Sequence, residues 1–256
     1  MKFVRSTYWF LHEQLGLDIR KLAHAPFGLV RYVRDLAFFV GKSPHKLRLQ
    51  PCLHDWWQQA GAVGTEYFWQ DLLVARMVHQ AAPKRHIDVG SRLDGFVAHV
   101  ASFRDIEVFD VRRLESLISG VTFKQADMMN PDALNTVITD SLSCFHTIEH
   151  FGLGRYGDPL NLHGWAIGIT NLANMLQSRG TMYLSCPVGN DEVFFNAHRA
   201  LKPFTIEKIA REANLNLKTC LLFNNETKTF ENVPLPLRQE PPLERHSLAV
   251  YIFMKQ

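Results

Sequence analysis

The sequence has few cysteines, and none of them are closely spaced. Cys52, Cys144, Cys186 and Cys220 form no C-x-x-C pair, so neither a zinc ribbon nor a disulfide framework is indicated. In a chain of this length, isolated cysteines are typical of reduced thiols in a cytoplasmic protein. Cys144 and Cys186 lie in apolar runs, and we expect both to be small core residues.

Long apolar runs are also absent. No stretch approaches the ~18–20 uncharged residues that a membrane-spanning helix needs. Residues 1–21 carry charges throughout without a small-residue cleavage site, so we expect no secretory signal. There is no internal repeat and no low-complexity tract. The 256 residues are enough for one large domain with a small appendage.

Basic residues are unevenly distributed along the chain. Residues 1–50 hold nine Lys/Arg and three Asp/Glu, a net charge of +6, whereas the remaining 206 residues hold 19 and 22, a net charge of −3. This basic, aromatic-rich extension over residues 1–60 suggests an attachment surface, and anionic lipid at the inner membrane face is one candidate for residues 1–50. The alternative is a helical cap that packs on the main domain. Nucleic acid is disfavoured, because basic residues are not interleaved through the rest of the chain.

Hydrophobic periodicity predicts several helices. PFGLVRYVRDLAFFVGK should form one, with Pro26 in its first turn, an i,i+4 pair of Arg31 and Asp35, and an end at Gly41. TEYFWQDLLVARMVHQ should form a second. Further along, NLHGWAIGITNLANMLQSRG should form a helix that stops at Gly180, and TIEKIAREANL should form another.

Short apolar runs alternate with these helices after Pro83. They are HIDVG (86–90), IEVFDV (106–111), VTFKQAD (121–127), SLSCFH (141–146) and TMYLSCP (181–187), and the alternation predicts a parallel sheet covered on both faces. LKTCLLF and SLAVYIFMK should add two antiparallel strands. We therefore expect residues 61–256 to form a doubly wound, Rossmann-like α/β sheet of seven strands, five parallel plus a C-terminal antiparallel hairpin. This layout resembles that of the class I S-adenosylmethionine-dependent methyltransferases.

HIDVGSRLDG lies where the first strand should turn into a helix, at the sheet edge where ligands bind. Methyltransferases usually carry a loop resembling D-x-G-x-G-x-G there. Asp88 and Gly90 match it, whereas Arg92 replaces the second glycine and Gly95 displaces the third by one position. The resemblance implies cofactor contacts from Asp88, Gly90, Ser91 and Arg92, with Arg92 either clashing with the methionine moiety or pairing with its carboxylate. A lone glycine turn is also common in α/β proteins that bind nothing there.

Two further acids end predicted strands. Asp110 follows Gly90 by 20 residues, a spacing at which an acid can accept both hydroxyls of an adenosine ribose. The alternative is a solvated aspartate paired with Arg112 or Arg113. Asp127 ends the next strand, where methyltransferases often place an acid or amide against the adenine amino group.

FHTIEHFGLGRYGDP contains His146, Glu149 and His150 in the order H-x-x-E-H of inverted zinc peptidases. That reading needs a helix, which the four helix-breaking residues between Gly152 and Pro159 would interrupt. We therefore expect no metal site. The segment instead resembles the end of the fourth methyltransferase strand, whose L-E-H-like residues border the methyl donor and acceptor.

FHTIEHFGLGRYGDPLN, HIDVGSRLDGFVAHVASF and CPVGNDEVFFNAHR together resemble the bacterial domain of unknown function 268 family over roughly residues 65–200. That family is assigned to the methyltransferase-like superfamily, and its members often accompany surface-polysaccharide genes. The resemblance implies S-adenosylmethionine as cofactor. It also implies His150 as general base, supported by Glu149, His146 and His198, with His146 also near the donor.

The strings GLGRYGDP and NAHR provide candidate acceptor ligands. Arg155 offers paired donors to an anion and Tyr156 offers an aromatic face, and Asp158 is a further candidate contact to the acceptor. Asn196, His198 and Arg199 should reach the same rim. The alternative is that Arg155, Asp158 and Arg199 form a salt-bridged scaffold between the two loops.

Three functions are compatible with these patterns. The first is methyl transfer to a sugar of a surface polysaccharide or its lipid-linked precursor. The second is a nucleotide-sugar enzyme on the same fold, which Arg92 would favour because a cation suits a diphosphate. The third is a non-catalytic scaffold in glycan assembly. The sequence leaves the oligomeric state and the acceptor open.

Overall fold

The computed structural model describes residues 7–8, 10–58, 60–61, 63–133, 137–239 and 244–256. The chain divides into two compact units, residues 1–62 and residues 63–256. The strands of the second unit are β1 His86–Val89, β2 Ile106–Asp110, β3 Val121–Gln125, β4 Thr139–Phe145, β5 Leu176–Pro187, β6 Glu192–Phe194, β7 His198–Ala200, β8 Leu215–Asn224, β9 Thr229–Asn232 and β10 His246–Lys255.

Within the described residues, eight of these strands form one sheet in the order β3-β2-β1-β4-β5-β10-β8-β9. Strands β1 to β5 are parallel, whereas β10 runs antiparallel between β5 and β8. The strand order reverses between β1 and β4, so a crevice is expected at the carboxyl ends of these two strands. The predicted doubly wound, Rossmann-like sheet is confirmed.

The sheet has one strand more than the seven that the sequence predicts. Strand β9 pairs antiparallel with β8 at the sheet edge, inside a segment that looked like a polar connection. Its four residues, TFEN, show no apolar alternation, and main-chain hydrogen bonds to β8 hold them in place. A separate hairpin of β6 and β7 also escaped prediction, because its strands are three residues long.

The helices are α1 Ile19–Phe39, α2 Glu66–Ala81, α3 Ala98–Ala101, α4 Gly164–Asn174 and α5 Pro203–Glu212. Val74, Val78 and Val100 of α2 and α3 belong to one apolar cluster, and Ile169 and Ile206 of α4 and α5 belong to the other. The two clusters lie on opposite faces of the sheet, since neighbouring strand residues alternate between them. Across the described residues, no helix is long and apolar enough to span a membrane.

Two helix boundaries differ from the sequence prediction. Helix α1 begins at Ile19 rather than near Pro26, because the Asp18 carboxylate caps it by accepting from the backbone N–H groups of Arg20 and Lys21. Helix α4 ends at Asn174 rather than Gly180, since Leu176 already pairs with β4 and residues 177–180 bulge out before pairing resumes.

Candidate active site

A cleft opens at the carboxyl edge of the sheet. We call it the inner cleft. Residues at or just after the ends of β1, β2, β3 and β4 line it, and α2 does not contribute to its wall. Its polar lining residues include Gly90, Asp110, Arg112, Asp127, His146, His150, Tyr156 and Asp158. The structure therefore brings together the strand-end residues that the sequence singled out.

Gly90 forms the turn between β1 and the inner cleft. Its φ is +70°, and its N–H donates to the Phe109 carbonyl at 2.9 Å. A Cβ at this position would lie 2.4 Å from Cγ2 of Thr147. Both the backbone conformation and the approach of the loop after β4 therefore require glycine.

Replacing Gly90 with Ala should lower the free energy of unfolding by roughly 2–4 kcal/mol, because left-handed backbone strain and overpacking add. Gly120→Ala is the matched control: its φ is +76°, but its Cβ would have no neighbour closer than 3.5 Å. We expect the control to cost only the backbone strain, about 1–2 kcal/mol. Denaturant unfolding measures both. Equal losses for the two variants would contradict close packing of Gly90 on Thr147.

Asp88 and Ser91 lie beneath the inner cleft rather than in its wall. The Asp88 carboxylate accepts from the Ser91 N–H at 3.0 Å, the Ser91 hydroxyl at 2.7 Å and the Ser143 hydroxyl at 2.5 Å. Complete burial raises the pKa of Asp88 to about 7. These hydrogen bonds stabilise the turn after β1 that contains Gly90. Asp88 and Ser91 are not in the lining of the inner cleft, so direct contact with a ligand there is not indicated, and a contact of Asp88 through water stays a prediction.

Arg92 also points away from the inner cleft. Its guanidinium binds the Asp94 carboxylate through two hydrogen bonds of 3.0 and 2.6 Å, and it lies 5.8 Å from the ring centre of Tyr67. Arg92 lines the outer cleft and not the inner one, so its predicted contact with the methionine moiety stays a prediction.

Asp110 lies in the inner cleft with Arg112 bound to it. Its Oδ1 accepts from the Arg112 N–H at 2.8 Å and from Nε at 3.0 Å, and its Oδ2 accepts from a terminal guanidinium nitrogen at 2.6 Å. The ion pair of Asp110 with Arg112, the alternative considered from the sequence, therefore forms, and both residues line the inner cleft. Asp127 also lines the inner cleft, and its Oδ1 accepts from the Met129 N–H at 2.8 Å, which orients the carboxylate.

A second, more open cavity adjoins the first, and we call it the outer cleft. It shares Gly90, Arg112, His146, His150 and Tyr156 with the inner cleft. Its other lining residues include Tyr67, Arg92, Glu149, Arg155, Phe194 and His198. Two ligands, one in each cavity, would therefore lie next to each other beside the residues that both cavities share.

Glu149 is the most deeply buried acid in the lining of the outer cleft, with 1% of its surface exposed. Its Oε1 lies 3.6 Å from Nδ1 of His146 and 3.9 Å from Nε2 of His150. Its Oε2 and Nε2 of His146 are both buried, and neither atom has a hydrogen-bond partner among the described residues. Such groups are costly to leave unpaired, so a water molecule or a polar ligand is expected beside them.

His150 is oriented by a backbone carbonyl and by the ring of Tyr156, whose centre lies 5.3 Å from that of the imidazole. Its Nδ1 lies 2.7 Å from the Ala197 carbonyl, which can only accept, so Nδ1 carries the proton. The neutral ring then has its lone pair on Nε2, and burial lowers the pKa of His150. An unprotonated nitrogen therefore stands at the junction of the two clefts.

The other two histidines are placed differently. His146 has a φ of +49° and its ring centre lies 4.1 Å from that of Tyr67. His198 stacks on Phe194 with ring centres 4.8 Å apart, and burial lowers its pKa as well. His198 reaches the outer cleft only.

Arg155, Asp158 and Arg199 hold the loops through backbone groups. Arg155 donates to the Ala197 carbonyl at 3.0 Å, and Asp158 Oδ2 accepts from the Gly152 N–H at 2.8 Å. Arg199 is 4% exposed and donates to the Phe151 carbonyl at 2.6 Å. Arg199 is therefore a buried structural residue, contrary to its predicted contact with an acceptor.

Asn196 lies in the exposed turn of the β6–β7 hairpin, with a φ of +58°. It is not in the lining of either cleft. The helix that a zinc peptidase would need is absent too, since Ile148–His150 form a single turn. Across the described ranges, no group of three or more His, Cys, Asp or Glu side chains could hold a metal ion.

Residues of α2 take part in the site without having been predicted. Tyr67 lines the outer cleft, and Gln70, which accepts from the Ser185 hydroxyl, donates to Asp71 at 3.0 Å. Asp71 is buried, which raises its pKa, and its Oδ2 would lie 2.4 Å from a Cβ on Gly95. The signal in the sequence was the polar pair Gln70-Asp71 on the same helical face as Val74 and Val78.

Comparisons with known proteins agree with this geometry. Residues 101–209 match the sequence model of a family described as "Caenorhabditis protein of unknown function, DUF268". No curated protein matches the chain by sequence.

Three solved structures illustrate the similarity of fold. An S-adenosylmethionine-dependent methyltransferase of Thermotoga maritima is 14% identical to this chain, with a TM-score of 0.51. The alignment covers 76% of this chain and 91% of that chain. A methyltransferase of the same kind from Clostridium acetobutylicum is 10% identical, with a TM-score of 0.50 and coverage of 75% and 92%. The 4+2 cyclase SpnF is 12% identical, with a TM-score of 0.52 and coverage of 72% and 81%.

At these identities the similarity concerns the fold, and one of the three proteins is described as a cyclase. The family resemblance that the motifs predicted is confirmed over residues 101–209, and the chain has the fold of the class I S-adenosylmethionine-dependent methyltransferases.

Proposed function

We propose that this protein is an S-adenosylmethionine-dependent methyltransferase that methylates a hydroxyl group of a sugar in a surface polysaccharide or its precursor. The observation that supports this most is the convergence of Gly90, Asp110 and Asp127 on one cleft, with His150 at its junction with a second. Methyl transfer is an in-line displacement, so donor and acceptor must meet from opposite sides. Two cavities that share a wall suit that requirement.

The residues of the inner cleft fit the proposed cofactor. Gly90 permits close approach of a ligand to the backbone, Asp110 can accept from ribose hydroxyls and Asp127 from the adenine amino group. When bound, the cofactor supplies an electrophilic methyl group on a sulfonium. Arg112 already occupies three acceptor positions of Asp110, so ribose binding there requires Arg112 to give up at least one of them.

His150 is the proposed general base. Its Nδ1–H is held by the Ala197 carbonyl, so Nε2 can take the proton of an acceptor hydroxyl. The lowered pKa keeps the ring neutral near pH 7. Glu149 Oε1, 3.9 Å from Nε2, stabilises the imidazolium that forms.

The sugar acceptor is the least constrained element of the proposal. The outer cleft combines the rings of Tyr67, Tyr156 and Phe194 with Arg155 and His198, and aromatic faces beside polar groups suit a sugar ring. The polysaccharide context comes from the family resemblance.

Calorimetric titration with S-adenosylmethionine and with its demethylated product tests the proposal directly. We expect saturable binding of both ligands. Absence of heat and of any thermal shift at millimolar ligand would contradict a methyltransferase. A parallel thermal-shift panel of nucleotides and nucleotide-sugars distinguishes the alternative enzyme, whose main argument, Arg92, is weakened because that residue pairs with Asp94.

A further inference from the structure

Helix α1 has an apolar face that no described residue of its own unit covers. The positions Leu22, Pro26, Leu29, Val30, Val33, Ala37 and Val40 follow helical spacing, and all are exposed. Leu22 is 65% exposed, Val30 73% and Val33 56%. Helix periodicity places these residues on one side, with Phe27 and Phe38 beside them.

The opposite side of α1 packs within residues 1–62. Gly28 is buried there, and a Cβ on it would lie 2.1 Å from the Leu53 carbonyl oxygen. Arg31 lies 3.6 Å above the ring of Trp56, and His24 stacks on Trp57 at 4.7 Å. Packing within the unit therefore fixes which side of the helix stays outward, and that side is the apolar one.

The charge around this face is positive. Arg20 and Arg34 border it, and residues 1–50 carry a net charge of +6 against −3 for the rest of the chain. Arg34 is paired with Asp35 at 2.8 Å, yet 73% of its side chain is exposed. An exposed apolar patch of this extent marks an interaction site, and a basic border selects a negatively charged partner.

We propose that α1 lies in the interfacial plane of an anionic lipid bilayer, with Leu22, Val30 and Val33 inserted among the acyl chains and the basic border against the headgroups. A helix of 21 residues is about 32 Å long, so it would lie along the surface. The proposal does not depend on methyl transfer.

Co-sedimentation of the full chain with vesicles tests this proposal. We expect the partition coefficient on phosphatidylcholine vesicles containing phosphatidylglycerol to exceed that on phosphatidylcholine alone by at least about tenfold, and to fall as salt is raised. The variant Leu22→Gln/Val30→Gln/Val33→Gln should lose at least about tenfold of that binding. Glutamine is no worse a helix former than the residues it replaces overall, so α1 should persist.

The matched control replaces three exposed leucines of the other unit, Leu117→Gln/Leu160→Gln/Leu162→Gln, and should bind vesicles like the wild type. Circular dichroism confirms the helix content of each variant. Equal binding of the α1 variant and the wild type would overturn the proposal. A second result would also overturn it: the wild type does not bind anionic vesicles but forms a dimer, and the α1 variant is monomeric. The face would then bind a second copy of the chain.

Discussion

His150→Asn should reduce methyl transfer by about 10²–10³-fold while cofactor affinity stays close to that of the wild type. The asparagine amide can still donate to the Ala197 carbonyl, as Nδ1 does at 2.7 Å, so the loop should keep its position. What disappears is the Nε2 lone pair, and removal of a general base costs about that factor. The assay is incorporation of labelled methyl from S-adenosylmethionine into surface polysaccharide isolated from cells that lack the protein, whose accepting hydroxyls are still free.

The pH profile separates a base from a structural histidine. Burial lowers the pKa of His150, so the ring loses its proton at a lower pH than a free histidine, whose pKa is about 6.5. The wild-type rate should therefore rise with pH in a limb below pH ~6.5 and be flat through neutrality. The His150→Asn variant should lack that limb.

His99→Asn is the matched control. Its Nδ1 also contacts a backbone carbonyl, that of Gly95 at 2.7 Å, but the ring lines neither cleft. This variant should keep both the rate and the limb. A His150→Asn enzyme that keeps them as well would show that His150 only holds the loop.

Asp110→Asn should weaken the binding of S-adenosylmethionine by about 10–100-fold, which corresponds to the ~1.5–3 kcal/mol of a hydrogen bond to a charged group. The substitution removes a charged acceptor and leaves the Arg112 cation unpaired beside the ligand. Calorimetry gives the dissociation constant. A variant with unchanged affinity would exclude Asp110 from the cofactor site.

The control for Asp110→Asn lies on the same strand. Glu107 pairs with Arg85 through hydrogen bonds of 2.6 and 2.7 Å, outside the inner cleft. Glu107→Gln therefore removes a similar pair without touching the proposed site, and its affinity should match that of the wild type. Arg112→Gln completes the set, because tighter binding in this variant would show that Arg112 competes with the ribose for Asp110.

The parallel sheet was predictable because each strand is a short apolar run ending in a polar or glycine residue. The same property placed Gly90, Asp110 and Asp127 together, since parallel strands end at one edge. The inward bonds of Asp88 were not predictable. A carboxylate near a strand end can face a ligand or its own turn. The two serines that decide this are Ser91, in the turn after β1, and Ser143, within the neighbouring strand β4.

Other differences have local or long-range causes. Helix α1 begins after Asp18, whose carboxylate caps it, and not at Pro26, which the sequence favoured as its first turn. Helix α4 is shorter than predicted because Leu176 pairs with β4. The contribution of α2 was missed because Tyr67 and Asp71 reach the site only through packing of α2 beside the turn after β1. The polar pair Gln70-Asp71 on the face of Val74 and Val78 indicates a buried polar position on α2, but it does not show which turn that position contacts.

The wall that the two clefts share has a consequence for how substrate preference could change. Gly90, Arg112, His146, His150 and Tyr156 face both cavities, so substitutions there would alter donor and acceptor binding together. Phe194 and His198 face the outer cleft alone and come from a hairpin outside the main sheet. In homologues that act on other acceptors, we therefore expect the sequence of that hairpin to change first. The five residues that line both clefts should change more slowly.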